Sequence, residues 1–168
     1  MNARKSRNFI SEIERCDSTL LESEDSIIEE VVSFFRNLYS SDNGRYKGFV
    51  AVDWSPISSP MADWLTQPFE EDELKSAVFE SDGDKAPGPD GFTMNLFQRC
   101  WDTIKSDLMA VFQEFHQNGV INATTNETYI CLIPMKLNSC KIGDYSPISM
   151  VTSLYKLIAK VLSTRVRR

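Results

Sequence analysis

The run Lys85-Ala86-Pro87-Gly88-Pro89-Asp90-Gly91-Phe92 constrains the fold more than any other stretch of the chain. Its two prolines fix φ and remove backbone donors, while its two glycines admit left-handed backbone, so no helix passes through it. The chain is thereby cut into a part before this loop and a part after it. Lys85, at the mouth of the turn, has two readings: a phosphate contact or a solvated loop lysine.

Before the loop, Ser26 and Glu29 stand at capping-box spacing, and Ile27, Ile28, Val31, Val32, Phe35, Leu38 and Tyr39 recur at helical intervals. This predicts an amphipathic helix opening at Ser26 and closing at the turn cluster Ser40-Ser41-Asp42-Asn43-Gly44. Residues 44–68 hold Trp54, Trp64, Pro56, Pro60 and Pro68 without a period, and read as a connector with aromatic anchors. A second helix is expected near Glu70. Phe69 and Leu74 have the spacing of a hydrophobic staple, Glu70, Glu71, Asp72 and Glu73 suit the positive end of a helix dipole, and Leu74, Ala77 and Val78 supply a buried face.

After the loop, Trp101, Ile104, Leu108, Val111, Phe112 and Phe115 mark a strong helix that Asn118-Gly119 should end. Thr128 to Pro134 is a strand by its β-branched and aromatic residues, and a second extended segment runs from about Tyr145 to Met150. Leu154, Leu157, Ile158, Val161 and Leu162 then define a last helix with Lys156 and Lys160 on its other side. The fold class is α+β, mostly helical, with a short β-ribbon. Two strands give the last helix no obvious partner, so part of its apolar stripe is expected to lack cover, as in a domain that continues past Arg168.

With 42% hydrophobic and 25% charged residues in 168, the composition is that of an ordinary globular domain. No apolar run reaches the ~18 residues of a membrane helix, and the basic N-terminus lacks the apolar stretch of a signal peptide. A cytoplasmic or nuclear location, without membrane contact or secretion, is therefore expected. Cys16, Cys100, Cys131 and Cys140 form no C-x-x-C pair, and His116 alone cannot complete a zinc site with them; they read as reduced structural thiols. His116 itself reads as an ordinary helix residue. The net charge of -6 conceals an uneven distribution: +2 over residues 1–16, -12 over 17–90 and +4 over 91–168. From Lys141 onward six basic residues face only Asp144, the sign a phosphate backbone attracts, although a solvated helix face has the same composition.

No phosphate-binding glycine motif, nucleophile elbow or H-E-x-x-H occurs. Asp82-Gly83-Asp84 offers two carboxylates to a divalent cation, but such a triplet in a loop is far more often a turn. Neither a catalytic residue nor a metal ligand is therefore assigned.

The order of segments nevertheless carries a resemblance. Lys85 to Phe92, Cys100-Trp101, Ile104 to Met109, Glu114-Phe115-His116, Asn118-Gly119, Ile130 to Pro134 and Pro147 to Leu162 together resemble the start of the reverse transcriptase of LINE-type non-LTR retrotransposons, in its plant form. Arg7-Asn8-Phe9-Ile10, Phe34-Phe35-x-x-Leu38-Tyr39 and Pro68-Phe69 look like the connector that joins an upstream endonuclease to the polymerase in that family. The resemblance thus covers nearly the whole chain. It implies a connector over 1–67 and, over 68–168, the early fingers of a right-hand RNA-directed DNA polymerase.

The complete family enzyme uses two Mg²⁺ ions held by palm aspartates. Here no Y-x-D-D occurs, so the resemblance implies a piece without the palm, with no cofactor in this chain and no catalysis of its own. Where the family reads I-P-K this chain has Ile133-Pro134-Met135, and where it reads F-R-P-I this chain has Tyr145-Ser146-Pro147-Ile148. Lys136 is the candidate replacement for the nucleotide-gripping lysine, although on a strand a shift of one residue turns a side chain to the opposite face. Lys85, Lys156, Lys160, Arg165, Arg167 and Arg168 are the candidate contacts to RNA or DNA, expected to be weak and non-specific. The rival readings are a non-catalytic nucleic-acid or partner-binding module derived from a retroelement, and a relic with no retained role.

Overall fold

A computed structural model describes residues 9–40 and 55–167 of the chain. Contacts divide the chain into two compact units, each assembled from two separated pieces: residues 1–53 with 131–148, and 54–130 with 149–168. The fold is α+β and mostly helical.

In the first unit, β1 (Ile13–Glu14) pairs antiparallel with β2 (Leu20–Leu21), Ile13 opposite Leu21. Helix α1 (Glu24–Tyr39) follows. It opens earlier than the spacing predicts, because Ser23 rather than Ser26 is the N-cap, its hydroxyl accepting from the Ser26 N–H. A serine one turn upstream satisfies the same orphan donors, and Glu24 and Asp25 then sit in the first turn. Of the apolar stripe only Ile27 is buried; Ile28, Val32, Leu38 and Tyr39 are exposed. Ile13, Leu21, Ile27 and Ile142 form the small core, with Ile10, Val31 and Phe35 against it. The expected turn after Ser40, and Trp54, lie outside the described residues.

The second unit holds the larger core. Helix α2 (Ser59–Leu65) interrupts the stretch read as a connector; Pro60 occupies its first turn, where a missing N–H costs nothing. Helix α3 (Glu71–Phe79) begins where expected, with a reciprocal capping box between Glu70 and Glu73. Leu74, Ala77 and Val78 face inward. The short α4 (Met94–Arg99), unsignalled by any long period, leads into α5 (Trp101–Asn118), which Gly119 closes at φ +65°. A 3-10 turn (Ala123–Asn126) precedes β3 (Thr128–Pro134), which pairs with β4 (Tyr145–Val151); residues 131–134 and 145–148 of these strands fall in the first unit, the rest in the second, and β4 runs into α6 (Ser153–Arg167).

The apolar stripe of α6 is largely covered, more than the strands alone would allow, although Leu162 stays exposed. Leu157, Ile158 and Val161 are buried against Leu74, Val78, Trp101, Leu108 and Phe112, and Leu154 packs at the margin. Helices α3 and α5 supply the apolar surface that the strands cannot, and Phe112, fully buried, stands in the same cluster.

Candidate nucleic-acid interface

The Lys85–Phe92 loop does not hang free. It lies against the junction where β4 passes into α6. A Cβ on Gly88 would stand 2.3 Å from the Val151 carbonyl oxygen and 2.7 Å from the Thr152 nitrogen, so only glycine permits this approach. Asp90 then turns its carboxylate onto the start of α6, accepting from the Ser153 N–H at 2.6 Å, while the Ser153 hydroxyl donates to the Phe92 carbonyl at 2.6 Å. Thr152 completes the start: its hydroxyl accepts from the Tyr155 N–H at 3.2 Å and donates to the Thr125 carbonyl at 2.6 Å. The first amides of a helix need acceptors, and a carboxylate there also meets the positive end of the dipole.

This seating brings three of the candidate lysines to one place. Lys85, Lys156 and Lys160 line a cavity of about 320 Å³ with Glu80, Ser81, Asp82 and Met94. Lys156 and Lys160 are one turn apart on α6, on the side away from the buried Leu157, Ile158 and Val161. Lys156 Nζ donates to the Ala86 carbonyl at 3.1 Å, which ties the helix to the loop a second time. Lys160 Nζ lies 3.4 Å from a Glu80 carboxylate oxygen. Three ammonium groups against the carboxylates of Glu80 and Asp82 leave a small positive excess.

The remaining candidates are scattered. Arg165 is 5% exposed and fully engaged within the second unit. Its guanidinium makes a two-pronged contact with the Glu73 carboxylate at 2.8 and 2.7 Å, donates to the carbonyls of Leu65, Gln67 and Pro68, and lies 4.2 Å from the centre of the Phe69 ring. The geometry removes Arg165 from the phosphate-contacting set, because its donors are already spent. Arg167 is exposed at the far end of α6, and Arg168 lies outside the described residues.

Lys136 belongs to the first unit. Its Nζ contacts the Asp144 carboxylate at 2.8 Å, and that hydrogen bond holds the Asp144 carboxyl below its ordinary value. The alternation rule for strands does not govern the choice between Met135 and Lys136, since β3 ends at Pro134 and both residues stand in the loop beyond it. Met135 is 64% exposed, with its N–H donating to the Asp144 carbonyl, and Ser146 lies within β4.

Other residues take structural roles. Asp82 accepts from the Asp84 N–H at 3.0 Å, the geometry of a turn. His116 is more than a bystander on its helix: Nε2 donates to the Thr66 carbonyl at 2.9 Å and the ring meets Phe69 edge-on. All four cysteines are free, and Cys16 and Cys131 are exposed rather than packed. Among the described residues no group of three or more His, Cys, Asp or Glu side chains is placed to hold a metal, and no helix is long and apolar enough to cross a membrane.

Periodicity gave no hint of Asp90 as a cap or of Arg165 as a clamp. Asp90 serves a helix 63 positions later, and Arg165 pairs with a residue 92 positions earlier. The one local signal was Thr152-Ser153 directly before the apolar run, a pair of hydroxyl residues of the kind that starts helices.

No family model matches the chain. Over 153 residues it is 31% identical to a Transposon TX1 uncharacterized 149 kDa protein of Xenopus laevis. The match takes in 90% of this chain and 12% of that protein, so the chain spans a small fraction of the relative's length. The similarity ties the chain to a transposon-encoded protein.

Proposed function

We propose that the chain is the early fingers portion, with its preceding connector, of a LINE-type retrotransposon reverse transcriptase, and that it contacts nucleic-acid backbone without carrying out polymerisation. One observation supports this most. The two stretches that carry the resemblance, Lys85–Phe92 and Pro147–Leu162, close on each other through Gly88, Asp90 and Lys156, and the closure presents Lys85, Lys156 and Lys160 together. The likeness to a transposon protein along most of the chain agrees with such an origin.

The chemistry follows from what the lysines can do. Ammonium groups on a helix turn and an adjoining loop neutralise phosphates as point charges and release counterions, without reading bases. Phosphoryl transfer needs carboxylates that hold two metal ions, and the aspartate pair of a Y-x-D-D motif does not occur in this sequence.

The test is the affinity of the purified chain for a labelled single-stranded RNA, measured across a salt series. The expected result is weak binding that falls with salt, with a shallower slope in the triple variant Lys85→Ala, Lys156→Ala, Lys160→Ala. Binding indifferent to salt or to these substitutions refutes the interface, and metal-dependent primer extension by the homogeneous chain refutes the non-catalytic part.

A further inference from the structure

The loop of residues 135–144, which joins β3 to β4, is long for a connection between paired strands, where two to five residues are usual, about. It also provides little cover for itself. Met135 is 64% and Leu137 89% exposed, and Asn138 adopts a left-handed φ of 59°. Ile142 is the one buried residue of the loop, presented by a 3-10 turn over Ile142–Asp144.

What buries Ile142 is the N-terminal part of the chain. Its neighbours in the core are Ile13, Leu21 and Ile27. Beside this pin, Glu14 grips the loop twice: its N–H donates to the Cys140 carbonyl at 2.7 Å, and its carboxylate lies 3.5 Å from Lys141 Nζ. β1 is therefore engaged by β2 through its pairing and by the loop through Glu14.

We propose that residues 10–31 are a positioning clamp for the 135–144 loop, holding Met135 and Lys136 in place, rather than a spacer leading into the rest of the chain. A solvated loop of this length samples many conformations; a buried pin and a main-chain hydrogen bond from a distant strand select one. The tip and the N-terminal segment then open and close as one cooperative unit. Any ligand met by Lys136 is met at an affinity the clamp sets, since loop ordering is already complete before binding. That last consequence rests on the reverse transcriptase reading above, through the nucleotide contact at Lys136 that the resemblance implies; the clamp itself does not.

Hydrogen exchange on the full chain tests it, comparing wild type with Ile13→Ala, on the clamp side, and Ile142→Ala, on the loop side. Coupling is reciprocal, so each variant is expected to speed exchange in both segments, 10–31 and 135–144, by about tenfold or more, and Ile13→Val to restore most of the protection. The amides of α5 serve as the internal reference and are expected to keep wild-type rates. Acceleration confined to the mutated segment overturns the proposal, as does equal acceleration in α5, which would mean global loosening. RNA binding measured on the same samples separates the two ideas: coupled exchange without RNA binding even by wild type sinks the functional reading and leaves the clamp standing.

Discussion

Replacing Arg165 by Met decides whether this arginine serves the fold or a ligand. The substitution keeps the length of the stem and deletes a guanidinium that makes two contacts to Glu73 and three to the carbonyls of Leu65, Gln67 and Pro68. Breaking a buried pair from one side costs about 3 to 5 kcal/mol, because the remaining charge loses its counter-ion; here Glu73 keeps the Glu70 N–H as a partner. The Glu73 side chain is 25% exposed, so water recovers part of that loss and the lower end applies, roughly 3 kcal/mol. With an m-value of about 2 kcal/mol per molar urea, the unfolding midpoint falls by roughly 1.5 M. Tryptophan fluorescence is a suitable probe, since Trp101 is buried in the same core. Arg165→Lys should recover less than half of the loss, because one ammonium cannot span a carboxylate and three carbonyls. A midpoint shift of less than about 0.3 M, together with a shallower salt dependence of RNA binding, would show that Arg165 leaves its site to meet phosphate and would refute the structural assignment.

Further outcomes are expected at other positions. Gly88→Ala drives a Cβ into the Val151–Thr152 backbone, which no side-chain rotation relieves; the loop lifts from α6 and urea unfolding reports a loss of about 2 to 4 kcal/mol from overpacking and the lost cap. Phe112→Ala empties the centre of the main core and costs about 3 to 5 kcal/mol by the same measurement. Asp144, held below its ordinary 3.8 chiefly by the Lys136 hydrogen bond, contributes stability that is present above 3.8 and lost as pH falls through its lowered value. An NMR titration of the loop should therefore show a transition in that acidic range, and Asp144→Asn should abolish it. Tyr145 is shifted the other way: burial raises its hydroxyl above the ordinary 10.0, and that hydroxyl donates to the Ser139 carbonyl at 2.9 Å. Its contribution is present below 10.0 and lost as pH rises through the raised value, so tyrosinate absorbance should show a late-titrating group that is missing from Tyr145→Phe.

Helices whose signals are local were legible from the residues alone. The staple of Phe69 and Leu74, the acidic first turn of α3 and the glycine after Asn118 each act within a few residues, and each stands where the spacing puts it. The short helices α2 and α4 were not, because six or seven residues hold too few turns to establish a period. At the candidate interface, Lys156 and Lys160 were legible as a polar face, whereas Arg165, two positions before Arg167, reads identically in sequence and is buried. What separates them is Glu73 and the carbonyls of Leu65, Gln67 and Pro68, which a one-dimensional pattern does not bring to Arg165. The unexpected cover of α6 has the same origin. The apolar partners of its stripe come from α3 and α5, so counting strands underestimates the surface available to it.

The cap on α6 bears on the order in which the chain folds. Its first amide is satisfied by Asp90, 63 positions away, and its second tie, from Lys156 to Ala86, spans 70. A peptide of this helix alone would carry its hydroxyl residues but not its carboxylate, and fifteen residues are marginal for an isolated helix in water. Closing a loop of that length consumes chain entropy before any contact repays it. Helix α6 should accordingly lock late, onto a surface of α3 and α5 already assembled from nearer contacts. In a kinetic experiment, Asp90→Ala should then chiefly speed unfolding and leave the folding rate almost unchanged, as for a contact made after the transition state.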